Sequence, residues 1–168
     1  MPRVVGWSPP PSMRYKVNVD GAVFSAQKCA GVGVMIRDSN GQVIATLSRK
    51  VNAPLGALEV EAKAIEVGLE FARDVGIHDF ILEGDSLVVY NALRGFSTPP
   101  SMIAPVIWGI LMSCGPLDRI DFSHVKMQGN RPAQMLAKHA LGCADYLTWM
   151  EETPCFLEQA LLDDVNFI

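Results

Sequence analysis

Three carboxylates on separate predicted elements, Asp20, Glu61 and Asp85, are the side chains best placed by type and spacing to do chemistry together. Asp20 sits in the alternating stretch Val17-Asn18-Val19-Asp20-Gly21-Ala22. Glu61 interrupts the apolar stripe of a helical pattern, and Asp85 follows the apolar run Phe80-Ile81-Leu82 within Glu83-Gly84-Asp85-Ser86. An acid held on rigid backbone is costly to desolvate unless a cation, an ion pair or several hydrogen bonds compensate it. Converging carboxylates suit a hard cation such as magnesium, which takes oxygen ligands in octahedral geometry and keeps waters for substrate phosphates. The reaction this favours is in-line phosphodiester cleavage, with two ions activating water and neutralising the leaving oxygen. Each acid also has a plainer reading. Asp20 before Gly21 is a common turn pair. Glu61 at the edge of its stripe could reach water, and Asp85 or Ser86 could cap a helix, although Ser86 can cap and leave Asp85 free.

The elements that must hold these acids follow from periodicity. In a strand over 15–23, Val17 and Val19 face one way and Asn18 and Asp20 the other. A second strand over 30–37, the turn Asp38-Ser39-Asn40-Gly41 and a third strand over 42–50 complete an antiparallel meander. The period becomes helical from Ala57 to Val75, where Gly76 closes the helix. Glu59, Lys63, Glu66, Glu70 and Arg73 form its solvated face, whereas Glu61 falls in register with Ile65, Gly68, Leu69 and Ala72, the positions that should face the sheet. The run 80–82 reads as a buried parallel strand, which puts Asp85 at a strand's carboxyl end, where open α/β sheets keep their ligands. A helix over 87–94 and an apolar, buried helix over 103–114 follow. Ile120, Phe122 and His124 alternate in a last strand. A final helix opens with Pro132 at its first position and runs through Met135, Leu136, His139 and Ala140 towards Glu152. The predicted domain spans 15–152. Residues 1–14, with Pro9, Pro10 and Pro11, form an extended arm or linker, and 153–168 is a tail that packs on or near the domain as a short helix or stays loose.

Composition narrows the function classes. The chain has 168 residues, 49% of them apolar and 19% charged, which excludes global disorder and fits one domain. A net charge of −4 argues against broad attraction to nucleic acid, so a polyanion must meet a local basic patch or bridging metal ions. Cys29, Cys114, Cys143 and Cys155 form no C-x-x-C pair, and free thiols in a reducing compartment fit them best. The residues from Met1 to Trp7 lack the apolar core of a secretory signal, and the run from Met102 to Met112 is too short to span a bilayer. The expectation is an intracellular protein that is neither secreted nor membrane-bound, with nucleus, cytosol and organelle left open.

The order of motifs resembles the plant-type ribonuclease H-like domain, found alone or at the end of reverse transcriptases of non-LTR retroelements. The pieces are Trp7-Ser8-Pro9-Pro10, Lys16-Val17-Asn18-Val19-Asp20-Gly21-Ala22, Ala30-Gly31-Val32-Gly33-Val34, Glu61-Ala62-Lys63-Ala64 with Gly68-Leu69, Glu83-Gly84-Asp85-Ser86, and His124-Val125 before Gly129-Asn130. Trp149-Met150-Glu151-Glu152-Thr153-Pro154 is similar to the family's tail. The resemblance implies an α/β fold, a five-stranded mixed sheet of three antiparallel then two parallel strands flanked by helices. It also implies a magnesium-dependent endonuclease, with manganese as a substitute, that cuts the RNA strand of an RNA/DNA hybrid. Asp20, Glu61 and Asp85 match its first three metal-binding acids, and Asp20 is expected to bridge both ions. The fourth acid is replaced by Gln134 in Asn130-Arg131-Pro132-Ala133-Gln134. A neutral amide lacks the charge that draws a hard cation out of water. Asp145, eleven residues further along the same predicted helix, is about three turns away and cannot substitute. His124 reads either as a proton shuttle or as a structural histidine at a strand end. Lys126, Arg131 and Lys138 form the basic cluster near the site and, with Asn130 and Ser86, are the candidate nucleic-acid contacts; Met127 stands where the family often has an arginine.

Three functions follow for comparison. One is a hybrid-cutting endonuclease weakened by Gln134 and expected to act as a monomer. Another is a nucleic-acid-binding module of the same fold with impaired catalysis. The third is an interaction scaffold, against which the retention of Asp20, Glu61 and Asp85 argues.

Overall fold

The computed structural model describes residues 6–165. Met1 to Val5, part of the expected arm, and residues 166–168 of the tail lie outside the described residues. The predicted meander is β1 (Tyr15–Phe24), β2 (Cys29–Arg37) and β3 (Val43–Val51), antiparallel throughout. The turn before β3 forms because Asp38 Oδ1 accepts the amides of Asn40 and Gln42, each at 2.9 Å, while Gly41 takes a φ of +80°. Helix α1 (Ala57–Val75) ends at Gly76, which adopts the left-handed conformation as its C-cap. After it come β4 (Asp79–Gly84), α2 (Leu87–Leu93), α3 (Ala104–Ser113), β5 (Arg119–His124), α4 (Arg131–His139), β6 (Tyr146–Met150) and α5 (Glu158–Val165). The sheet order is β5-β4-β1-β2-β3-β6, with β4 parallel to both β1 and β5.

The sheet therefore has six strands where five were expected. The predicted helix from Pro132 to Glu152 is the source of the difference. Helix α4 starts one residue earlier, at Arg131, and stops at His139; a 3-10 turn over Ala140–Gly142 follows, and Tyr146–Met150 becomes a strand antiparallel to β3. Gly142 interrupts the helical pattern, and Tyr-Leu-Thr-Trp is a run of residues that pack well on a pleated surface. Asp145 consequently lies beside β3, its carbonyl accepting the Lys50 amide at 2.7 Å, and belongs to no helix.

Both faces of the sheet are covered. Val17 and Val19 are buried under α1, where Gly68 permits close approach: a Cβ there would crowd Val19. On the other face α4 lies against β2 so closely that a Cβ at Gly31 or Gly33 would run into the carbonyl oxygens of Ala137 and Ala133. This glycine stripe explains why β2 reads Ala-Gly-Val-Gly-Val, and it sets the height of Gln134 above the sheet. The apolar helix α3 departs from expectation. Ala104, Ile107 and Ile110 are buried, but Trp108 and Met112 face solvent, because α3 packs on α1 and α2 along one stripe only.

The segment at Trp7 and helix α5 meet on the α4 face. Trp7 is 1% exposed and its indole donates to Asn18 Oδ1 at 3.1 Å, so the proline-rich segment contributes to the core from Trp7 onward. The Arg37 guanidinium stacks over the Trp7 ring at 3.8 Å and pairs with Asp164 of α5 at 2.7 Å, both charges being buried. Leu157 and Ala160 bury the rest of the tail's contact. Among the described residues no helix is long and apolar enough to cross a membrane.

Candidate active site

The site forms where two strands part. β1 pairs with β4 only as far as Asn18↔Glu83, while β1 continues alongside β2 to Phe24. Asp20 and Asp85, each two residues beyond that last pair, flank the opening. Glu61 reaches the same point from α1 and accepts the Gly21 amide at 3.1 Å. Carboxylate oxygens of Asp20, Glu61 and Asp85, one from each, all lie within 4.8 Å of one another. The sequence pattern thus brings together the three acids it singled out.

Three acids this close oppose one another's ionisation. Burial, with the Asp85 charge adding to it, pushes Asp20 up to about 6 even though Glu61 and the Gly21 amide hydrogen-bond to it. Burial first, and then Asp20, push Glu61 up to about 10. Both side chains therefore hold a proton more tightly than ordinary carboxyls do. The donor set fits a hard divalent cation: all its atoms are carboxylate oxygens, and a cation that displaced the proton would relieve the crowding of negative charge.

Gln134 occupies the fourth corner. Its Nε2 donates to Asp85 Oδ2 at 3.0 Å and to the Met127 carbonyl at 3.1 Å. A cleft of about 380 Å³ opens in front of these groups, lined by Asp20, Asp85, Met127, Gln134, Lys138 and the stretch from Gly21 to Phe24. Lys138 is close enough to favour the charged form of Asp20.

The remaining predicted residues fall differently. His124 ends β5 beside Gly84, and its Nε2 lies 3.3 Å from the Asp85 carbonyl, so its ring braces the backbone that carries Asp85. Ser86 is the N-cap residue of α2, but its hydroxyl makes no capping bond. Lys126 is exposed next to Met127. Arg131 is exposed but turned to the tail, 3.3 Å from Asp163. Asn130 corrects the expectation of a nucleic-acid contact. It is 0% exposed; its amide nitrogen donates to the Val19 carbonyl at 2.9 Å and its oxygen accepts from Asn18 at 3.0 Å. Tied on both sides to β1, it anchors the start of α4 and has no surface to offer. His139 packs, stacked on Phe156 with centroids 4.4 Å apart.

Sequence reasoning overlooked the layer behind the acids. Glu83, 5% exposed, accepts from Asn18 at 3.0 Å and lies 3.5 Å from the buried Lys16 ammonium, which donates to the Ser8 carbonyl at 2.6 Å. Tyr90 is enclosed beneath Gly84, its hydroxyl without a partner among the described residues. Burial, then the surrounding carboxylates, keep that phenol protonated. One signal was legible: Asn18, Asp20 and Glu83 are polar residues set among the apolar residues of β1 and β4.

A mixed six-stranded sheet with acids where its central strands diverge defines a ribonuclease H-like domain. Residues 18–140 match the family model described as reverse transcriptase-like, and the chain belongs to that family. Among solved structures, ribonuclease H1 of the archaeon Halobacterium salinarum is 26% identical with a TM-score of 0.66, covering 76% of this chain and 97% of its own. The N-terminal ribonuclease H domain of a Mycobacterium tuberculosis protein is 20% identical with a TM-score of 0.67, covering 77% of this chain and 94% of its own. A ribonuclease H1 isolated from compost by a metagenomic approach, LC11, is similar in its complex with an RNA/DNA hybrid: 20% identity, TM-score 0.66, 76% of this chain and 96% of its own. No curated protein sequence matches the chain significantly.

Proposed function

We propose that the chain is a metal-dependent endonuclease that hydrolyses the RNA strand of RNA/DNA hybrids, with Gln134 slowing the reaction. The observation that carries this reading is the convergence of Asp20, Glu61 and Asp85 at the parting of β1 and β4. These three would hold the divalent ions, magnesium being favoured by an all-oxygen donor set and manganese serving as a substitute. Bound there, the ions would supply an activated water and neutralise the leaving oxygen.

The chain's own residues account for the rest. Asp20 and Asp85 set the spacing of the ligands because each is fixed two residues past a paired strand position. Lys138 at the cleft and Lys126 near it meet phosphate charge without reading bases, which suits recognition of helix shape and 2′-hydroxyls. His124 holds the Asp85 backbone in place. Gln134 lends no negative charge at the fourth corner and spends its amide N–H on Asp85.

That contact also supports a second reading, a hybrid-binding module whose catalysis is impaired. A gel assay separates the two. Hybrids labelled on either strand, a DNA duplex and single-stranded RNA are incubated with the protein in magnesium and in manganese. Cleavage confined to the RNA strand of the hybrid supports the endonuclease; retention of hybrid without cleavage supports the module; neither cleavage nor hybrid binding rejects both.

A further inference from the structure

The sixth strand leaves the sheet with an open edge. The carbonyl of Asp145 accepts from Lys50 and the amide of Glu151 donates to the Ile44 carbonyl. Backbone groups alternate in direction along an antiparallel strand, so Tyr146, Thr148 and Met150 turn their N–H and C=O groups away from β3. Among the described residues nothing pairs with them. Proteins usually blunt such an edge with lysine, proline, a bulge or an inward charge, and Tyr146–Met150 has none of these. Three of its side chains are apolar and exposed as well: Tyr146 by 58%, Leu147 by 46% and Met150 by 51%.

Alongside this edge, between β3–β6 and α1, runs a groove of about 510 Å³. Leu47, Val67 and Phe71 line it apolar, and Tyr146 and Thr148 face into it from β6. Its charged rim is acidic on balance. Glu70, Asp74 and Asp145 line it with one cation, Arg49, which lies 4.0 Å from Glu70. Acids also bracket the strand, with Asp145 before it and Glu151-Glu152 after it; Lys50, next to Arg49, is the other cation at this end.

We infer that β6 is a docking edge for an extended basic segment of another protein, which adds a seventh strand and places a lysine or arginine against the acidic groove. Backbone pairing would supply affinity, and pockets for alternate side chains would supply selectivity. A second copy of this chain is the poorer occupant. Antiparallel self-pairing centred on Thr148 sets Asp145 of one copy opposite Glu151 of the other, and like charges directly opposite are destabilising. The site lies apart from the acids at Asp20, on the far side of β2 and β3.

The test uses the whole chain and a pair of labelled nine-residue peptides that alternate valine and threonine, one with lysines at both ends and one with glutamates. Binding is read by fluorescence anisotropy, and amide exchange by NMR. The lysine peptide should bind at least roughly tenfold more tightly than its glutamate counterpart. Exchange should slow at Tyr146, Thr148 and Met150. Thr148→Pro removes an outward N–H while leaving the bonds to β3 intact, so it should abolish binding without lowering the melting temperature. Combined Asp145→Lys and Glu151→Lys should reverse the preference between peptides. Equal binding of the two peptides, or undiminished binding by Thr148→Pro, would overturn the inference. So would a concentration-dependent dimer that protects these same amides without peptide.

Discussion

Gln134 Nε2 lies 3.0 Å from Asp85 Oδ2, so the fourth corner of the acidic centre presents a hydrogen-bond donor to a residue that would otherwise be free to bind a cation. Helix α4 is seated on Gly31 and Gly33, and exchanging this one side chain should leave its seat unchanged. Gln134→Asp removes the competing donor and adds a charge. Manganese affinity, measured by isothermal titration calorimetry, should rise by roughly tenfold to a hundredfold, the range that such supporting groups command. Unchanged affinity would mean that the amide does not restrain the site.

Asp20→Asn should separate function from stability. Removing one carboxylate relieves a cluster in which burial has already raised both Asp20 and Glu61. The metal-free variant should therefore melt above the parent while its divalent affinity falls by a factor of roughly a hundred, a trade seen where a site is built at stability's expense. A lower melting temperature together with undiminished metal binding would contradict this.

The pH dependence has a definite sign. Asp20 and Glu61 titrate higher in the folded protein than in the unfolded chain, so the folded state keeps protons that the unfolded state releases. Stability then falls as pH rises, from the ordinary carboxylate range near about 4 upward through the raised values. In EDTA the melting temperature should decline between about pH 5 and about pH 8, less steeply in Glu61→Gln, and saturating magnesium should flatten the profile. A flat profile in EDTA would show that the acids are not coupled in this way.

Arg37 and Asp164 should behave as a buried ion pair. Arg37 and Asp164 are 1% and 2% exposed, and Arg37 Nε and Nη2 have no other partner among the described residues. Asp164→Asn strips the charge that compensates the guanidinium and should cost about 3–5 kcal/mol in urea unfolding. Replacing both, Arg37→Met with Asp164→Leu, should recover most of that loss, since two apolar groups of similar volume leave no buried charge behind. If the double variant is as unstable as the single, packing against Trp7 rather than charge is what matters.

Much of this architecture was legible because local pattern and tertiary environment agree. Val17 and Val19 alternate with Asn18 and Asp20, and Glu61 breaks an otherwise apolar stripe, so three elements each carried their acid visibly. Gly31 and Gly33 were readable as a motif but not as a seat for α4, because a close approach needs both partners in view. The strand at Tyr146–Met150 was missed because a helical period ran up to it and its pairing partner, β3, lies about a hundred residues earlier. Asn130 was read as a surface contact since a polar residue in a polar loop gives no sign of the Val19 carbonyl that claims it. Trp7 in a proline-rich stretch likewise concealed its stacking with Arg37.

The most direct test of hybrid cleavage by this acidic centre is a single-turnover rate on an RNA-labelled hybrid in magnesium, comparing the parent, Asp20→Asn and Gln134→Asp. The parent should cut slowly, Asp20→Asn not at all, and Gln134→Asp faster than the parent by roughly tenfold or more. Cleavage that persists in Asp20→Asn, or silence in all three proteins while each remains folded, would contradict this.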